Sequence, residues 1–292
     1  MRREAWLALL ILVAFAVGGC GGTSAIIPAA SVAYKGASKA TEAARPITDS
    51  EEYYVGRAVA AQILSRYKLD QNPKLTQYVN EVGQTVARKS TRPNPFKGYH
   101  FAVLDTQEIN AFACPGGIIF ITRGLIQTCK NEDQLAAVLA HEVGHVANKD
   151  GINSISQARW TQVFTAMGTE AARQYGGVAG NLVSLFEGSI DDVFKTIVVN
   201  GYSRQAEETA DAAALTELTR AGYDPNAMVI LLTTMEDKGK GASSGIFKTH
   251  PPTSERLAKV KASVGQTPAE SKGEKIRTER FTKRVSEGRP DG

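Results

Sequence analysis

His141, Glu142 and His145 stand in the order His-Glu-x-x-His, as His141-Glu142-Val143-Gly144-His145. On an α-helix, residues i and i+4 lie one above the other on a single face. Both imidazoles can therefore address one ion, while Glu142, about 100° round the helix, meets a water beside it. The chemistry this pattern fits is metal-assisted hydrolysis, with two nitrogen donors and a carboxylate as general base. Half of the chain's four histidines fall within these five residues. The segment is too apolar for a solvated surface helix, because Leu135, Ala136, Leu139, Val143 and Val146 recur at helical spacing.

A hydrolytic zinc site needs three protein ligands and an open position. The best third donor lies downstream, in Ser203-Arg204-Gln205-Ala206-Glu207-Glu208-Thr209-Ala210-Asp211. Glu207 has a second acid, Asp211, four residues on and hence on the same helix face. Asp211 is placed to accept the free ring N–H of a metal-bound histidine. Glu208 competes for the ligand role but has Ala212 at that spacing. Ala206, Ala210, Ala213 and Ala214 would let this helix approach the first one closely.

The elements that must carry these residues read as an α+β domain, mostly helical, over 48–264. Thr48-Asp49-Ser50-Glu51-Glu52 opens a helix to about Tyr67, and Pro73 behind Asn72 opens another to about Lys89. Tyr99–Leu104, Ala111–Ala113 and Gly117–Ile121 are short β-rich runs, expected to form a small antiparallel sheet over the metal-binding helix. Helices are expected over Asn131–Lys149, Tyr202–Ala221, from Asp224-Pro225 to about Asp237, and from Thr253 to about Ser263. Between Gly151 and Gly201 lie two more, apolar and broken by glycines, a possible lid. Their Trp160, Phe164, Phe186 and Phe194 read as core before membrane contact. Residues 265–292 are charged, without a periodic apolar face, and are expected to be disordered.

The N-terminus carries an address. Arg2 and Arg3 precede an apolar run from Trp6 to Val17, short for a bilayer span but suited to a signal peptide. Val17-Gly18-Gly19-Cys20 resembles a bacterial lipobox, although Val17 and Gly18 depart from its usual residues. The expectation is a signal at 1–19, lipidation of Cys20 and a flexible tether over 20–47. Gly21 after the cysteine favours the outer membrane, facing the periplasm. In that compartment Cys114 and Cys129 could be bridged or remain as two buried thiols. The net charge of +4 over 292 residues, with no basic stripe interleaved with aromatics, argues against a nucleic-acid partner.

Taken together, HEVGH and the later SRQAEETAD resemble the zinc metallopeptidase family that includes HtpX and the CAAX prenyl proteases, in which HExxH is followed by ExxxD on a later helix. Two more stretches agree: Asn110-Ala111-Phe112-Ala113-Cys114-Pro115-Gly116-Gly117 is similar to the family's strand before the zinc helix, and His250-Pro251-Pro252 with Arg256 to its late His-Pro element. Within the family the chain is similar to the periplasmic lipoprotein branch (BepA- and LoiP-like), without a tetratricopeptide domain. The resemblance implies a gluzincin-type metallopeptidase binding one Zn2+ per chain through His141, His145 and Glu207, with Asp211 behind them and Glu142 as general base. It implies a metalloendopeptidase for unfolded or misassembled envelope proteins. Extended polypeptide would pair with the strand Asn110, Ala111, Phe112 and Ala113, and outer-membrane assembly machinery is a possible partner. Tyr202, Arg204 and His250 are candidates for stabilising the oxyanion, and His250 is also a candidate fourth ligand.

Overall fold

A computed structural model describes residues 46–155, 160, 188–239, 245–251, 253–264 and 273–287. The helices are α1 (Asp49–Leu64), α2 (Pro73–Ala87), α3 (Arg123–Thr128), α4 (Glu132–Ala147), α5 (Asp150–Asn153), α6 (Arg204–Ala221), α7 (Asn226–Gly239), α8 (Ile246–Thr249), α9 (Ser254–Val264) and α10 (Glu274–Ser286). A further helical stretch, 188–195, runs into a π-helical turn at Thr196–Asn200. Strands β1 (His100–Leu104), β2 (Ala111–Cys114) and β3 (Ile118–Thr122) form one sheet.

Local chemistry sets the ends. Thr48 and Glu51 form a reciprocal capping box at α1, and Asn72 caps α2 in front of Pro73. Asn131 Oδ1 accepts from Gln134 N at the start of α4, and Ser203 Oγ from Ala206 N at the start of α6. Gly222, at φ 80°, ends α6 in the left-handed conformation that glycine adopts freely.

The strand order is β1-β3-β2, with β1 parallel and β2 antiparallel to β3. The sheet is therefore mixed, not purely antiparallel as the sequence led one to expect. The cause is the crossover 105–110, which carries the chain past β3's position before β2 begins. Thr122 fixes that crossover: its hydroxyl donates to Glu108 O at 2.6 Å and accepts from Asn110 N at 3.0 Å. Side-chain alternation makes the sheet a partition between two cores. Ala111, Ala113, Ile119 and Ile121 face the one containing α2, α4 and α7. Phe112, Cys114 and Phe120 face the one containing α1, Trp160 and Phe194.

Helix α4 is the axis of the domain, buried from Glu132 to Val146. Helix α6 crosses it at Gly144, where an added Cβ would lie 3.0 Å from Ala210 O and 3.3 Å from Ala213 Cβ. That close approach brings Glu207 and Asp211 to the two histidines. Trp160 and Phe194 are core residues, as expected, while Phe164 and Phe186 lie outside the described residues. Cys114 and Cys129 are free thiols, one in each core. Among the described residues no helix is long and apolar enough to cross a membrane.

The C-terminal expectation needs correction. Residues 274–286 form a helix, with Phe281 buried and Arg277 and Arg280 paired with Asp133 and Glu132 at the start of α4. Only Phe281 and the partly buried Val285 join it to the core, too few to make a periodic apolar face. Its arginines are held by buried acids far away in sequence. The signal, Cys20 and the tether up to residue 45 lie outside the described residues, while Ile47 at the tether's end packs against the core.

Candidate metal centre

Helix α4 presents His141 and His145 side by side, with their Nε2 atoms 3.1 Å apart. Behind each ring stands a carboxylate. Asp211 Oδ1 lies 3.0 Å from His141 Nδ1, and Asp150 Oδ2 lies 2.8 Å from His145 Nδ1. Glu207, from α6, brings Oε2 to 3.4 Å from His141 Nε2 and Oε1 to 3.5 Å from His145 Nε2. His250, directly after α8, places Nδ1 2.9 Å from Glu207 Oε1 and 3.3 Å from His141 Nε2. One donor atom from each of His141, His145, Glu207 and His250 lies within 4.8 Å of all the others.

The donors fit a cation. A carboxylate behind each Nδ1 holds the ring proton there, which leaves an acceptor lone pair on each Nε2. Two such lone pairs meeting at 3.1 Å repel unless positive charge sits between them. Three nitrogens and one carboxylate oxygen are the donor set that zinc prefers. The electrostatics agree. Burial pushes the His141 pKa down, but Asp211 and Glu207 overcome it and raise the value to about 10. Burial likewise opposes charge on Glu207, yet His250, His141 and His145 hold its carboxyl well below the usual range. Asp211 is lowered to about 2, its burial outweighed by Arg256 and His141. The cluster is built to surround positive charge.

Glu142 is 1% exposed, and neither of its carboxylate oxygens has a hydrogen-bond partner among the described residues. His250 Nε2, 3.8 Å away, is its nearest basic group. An acceptor-only group left open in a buried site has the form of a base awaiting a proton donor.

Of the sequence candidates, His141, Glu142, His145, Glu207, Asp211 and His250 meet at one point. Glu208 does not; it pairs with Lys259 at 2.8 Å. Tyr202 stacks on His145 with centroids 4.2 Å apart, and its hydroxyl donates to Ala113 O at 3.4 Å. Arg204 is turned away: its side chain is 68% exposed and paired with Glu255 at 3.0 Å. At the start of α6 the arginine falls on the outer face, so the oxyanion role has no support at this position. Asn110 pairs with Thr122 across the sheet, Thr122 N donating to Asn110 O at 3.0 Å. By strand alternation Phe112 and Cys114 turn their backbone groups to β3. Ala111 and Ala113 turn theirs to the opposite edge, where Ala111 N donates to Asn110 Oδ1 at 3.0 Å and Ala113 O accepts from the Tyr202 hydroxyl, and both residues are buried.

Two residues gained no role from the sequence. Arg256 is 2% exposed and donates Nε and Nη2 to Asp211 at 2.8 and 2.7 Å, while Nη1 lies 2.8 Å from Glu207 Oε2. The sequence marks it only as part of the late His-Pro element. Asp150 follows α4, and its aim depends on a turn that spacing alone does not reveal.

A buried His-Glu-x-x-His helix, joined by a glutamate from a crossing helix, defines a zinc metallopeptidase of the gluzincin type. The chain belongs to peptidase family M48, whose profile matches residues 73–264. It is 29% identical over 238 residues to the beta-barrel assembly-enhancing protease of Escherichia coli K12, covering 77% of this chain and 46% of that protein. It is 25% identical over 189 residues to the metalloprotease LoiP of the same organism, covering 64% of this chain and 68% of that one. It is 29% identical over 153 residues to the mitochondrial metalloendopeptidase OMA1 of Schizosaccharomyces pombe, covering 52% and 42%. The chain thus spans about half the length of the assembly-enhancing proteases that it matches.

Proposed function

We propose that this protein is an endopeptidase that hydrolyses peptide bonds of unfolded or misassembled envelope proteins from a lipid anchor on Cys20 at the periplasmic face of the outer membrane. One observation carries the chemistry: two carboxylate-backed imidazoles face each other at 3.1 Å beside an unpartnered, buried Glu142. His141, His145 and Glu207 would hold the metal, and Asp211 and Arg256 would fix the donors. Bound zinc supplies Lewis-acid polarisation of the scissile carbonyl and acidifies a water. Glu142 takes that proton and delivers it to the leaving amine. The β2 edge away from β3 suits an extended substrate once it is uncovered, because Ala111 O and Ala113 N point there and main-chain groups read no side chain. The name of the assembly-enhancing relatives supports outer-membrane proteins and their assembly machinery as the setting, and the lipobox-like run before Cys20 supports the anchor.

His250 occupies the place where a catalytic site keeps an opening. We read it as a resting cap, which must swing away for substrate to enter.

The test is cleavage of unfolded casein by the zinc-loaded protein. Glu142→Gln should lower turnover about 100-fold or more while keeping zinc. Equal turnover by wild type and variant would defeat the assignment. His250→Ala should retain turnover at or above wild type; its abolition would make His250 a required part of the machinery and end the cap reading. Loss of fatty-acid labelling in Cys20→Ala checks the anchor.

A further inference from the structure

The histidines of the site are not oriented by one helix alone. Asp211 stands behind His141 from α6. The carboxylate behind His145 comes from its own chain segment, five residues on, and no helical spacing would bring it there. A helix continued past Ala147 would carry residue 150 away from His145, because i+5 lies well round the axis. The chain instead leaves α4 at Asn148 and turns at Lys149, whose φ of 59° and ψ of 32° are left-handed. Lys149 is the one non-glycine residue with positive φ among the described residues. A lysine takes this conformation only where its surroundings hold it there. Here they do: Lys149 Nζ lies 2.8 Å from Asp49 Oδ1 and 3.3 Å from Glu52 Oε2, both on α1. Glu52 is itself fully buried and fixed by Arg92 at 2.8 Å and Gly116 N at 3.0 Å. The turn starts α5 with Asp150 Oδ2 at 2.8 Å from His145 Nδ1.

We propose that Asp150 is a positioning residue for the metal centre, aimed at His145 by the left-handed turn at Lys149 that the α1 acids Asp49 and Glu52 hold in place. Asp150 keeps the His145 proton on Nδ1, leaving Nε2 free for the ion, and opposes rotation of the ring. With Asp211 it makes a matched pair, one carboxylate behind each histidine. The α1 acids reach the metal through one backbone turn. The inference rests on the zinc-peptidase reading.

Zinc affinity of the demetallated full-length protein, measured by competition with a chromophoric chelator, separates the two. Absence of zinc binding by wild type would sink that reading itself. With wild type binding, Asp150→Ala should weaken zinc about 10- to 100-fold. Cobalt(II) in its place should show altered visible absorption bands, with the circular dichroism of the metal-free protein unchanged. Asp150→Asn, which keeps an acceptor but no charge, should fall between and serves as the reading if the alanine variant does not fold. Lys149→Gly, which takes left-handed φ without cost, should bind zinc within about threefold of wild type, and Lys149→Val, which resists it, should lose about tenfold or more. Wild-type zinc affinity and cobalt spectrum in both Asp150 variants would overturn the proposal. Equal zinc affinity of the two Lys149 variants would overturn the role of the turn.

Discussion

Helix α4 carries a buried acid–arginine cluster at each end, and the two differ in one respect. At its start, Glu132 accepts from Tyr78, Tyr223 and Arg280, and Asp133 from Arg277 and the Asp224 backbone. Every one of those four oxygens is engaged. Near its end, Arg256 engages Asp211 just as fully, but Glu142 accepts no hydrogen bond among the described residues and two imidazole nitrogens face each other. Burial, charge and arginine pairing are common to both ends. What marks the functional end is polar capacity left over and pointed at a common place. Complete pairing is the signature of architecture, and convergent incompleteness that of chemistry.

The largest break in this comparison comes from Glu207→Ala. It removes a donor and one of the two carboxylates beside Arg256, so zinc binding and casein turnover should be lost. Arg256 keeps Asp211, so stability should fall by only about 1–3 kcal/mol in chemical denaturation. A variant that kept full zinc affinity would show that the glutamate is architectural. Next is Arg280→Ala, at the other end. Its partly exposed side chain makes the loss smaller, about 1–2 kcal/mol, and zinc affinity should not change. A clear drop in zinc affinity would couple the two ends and blur the distinction drawn here.

The smallest effect concerns Glu217, another buried acid, 2% exposed, on α6. Burial raises its pKa to about 9, only partly offset by His141 and Arg220. Below the ordinary glutamate pKa, folded and unfolded chains both hold the proton. Between there and about 9 only the folded chain does, so this residue's contribution falls as pH rises. Glu217→Gln should flatten that slope: its stability should match wild type near pH 4.5 and exceed it increasingly towards pH 9 in urea melts. Parallel curves for the two proteins would refute the assignment.

Much of the catalytic end was legible in the sequence, because its signals are local. The i, i+4 histidines need only a helix, and the apolar residues around them guarantee one. Glu207 and Asp211 repeat that spacing on a second helix made of small residues. Less was legible where position depends on a single backbone angle or a distant partner. Asp150 could not be paired with His145 without knowing that Lys149 turns left-handed. Arg204 sits three residues from Glu207, yet points outward. The tail from 274 looked like solvated charge because its counter-ions, Glu132 and Asp133, lie some 140 residues earlier. The sheet's parallel pairing was hidden for a similar reason: the crossover is fixed by a single threonine, Thr122.

That distant pairing also sets a schedule. Arg277 and Arg280 are 144 and 148 residues from the acids they neutralise. During synthesis or export from the N-terminus, the helix bearing His141 and His145 emerges long before the cations that stabilise its first turn. The first turn of α4 therefore receives its counter-charges only after residue 280 has been delivered, later than every side chain placed at the metal centre, Arg256 included.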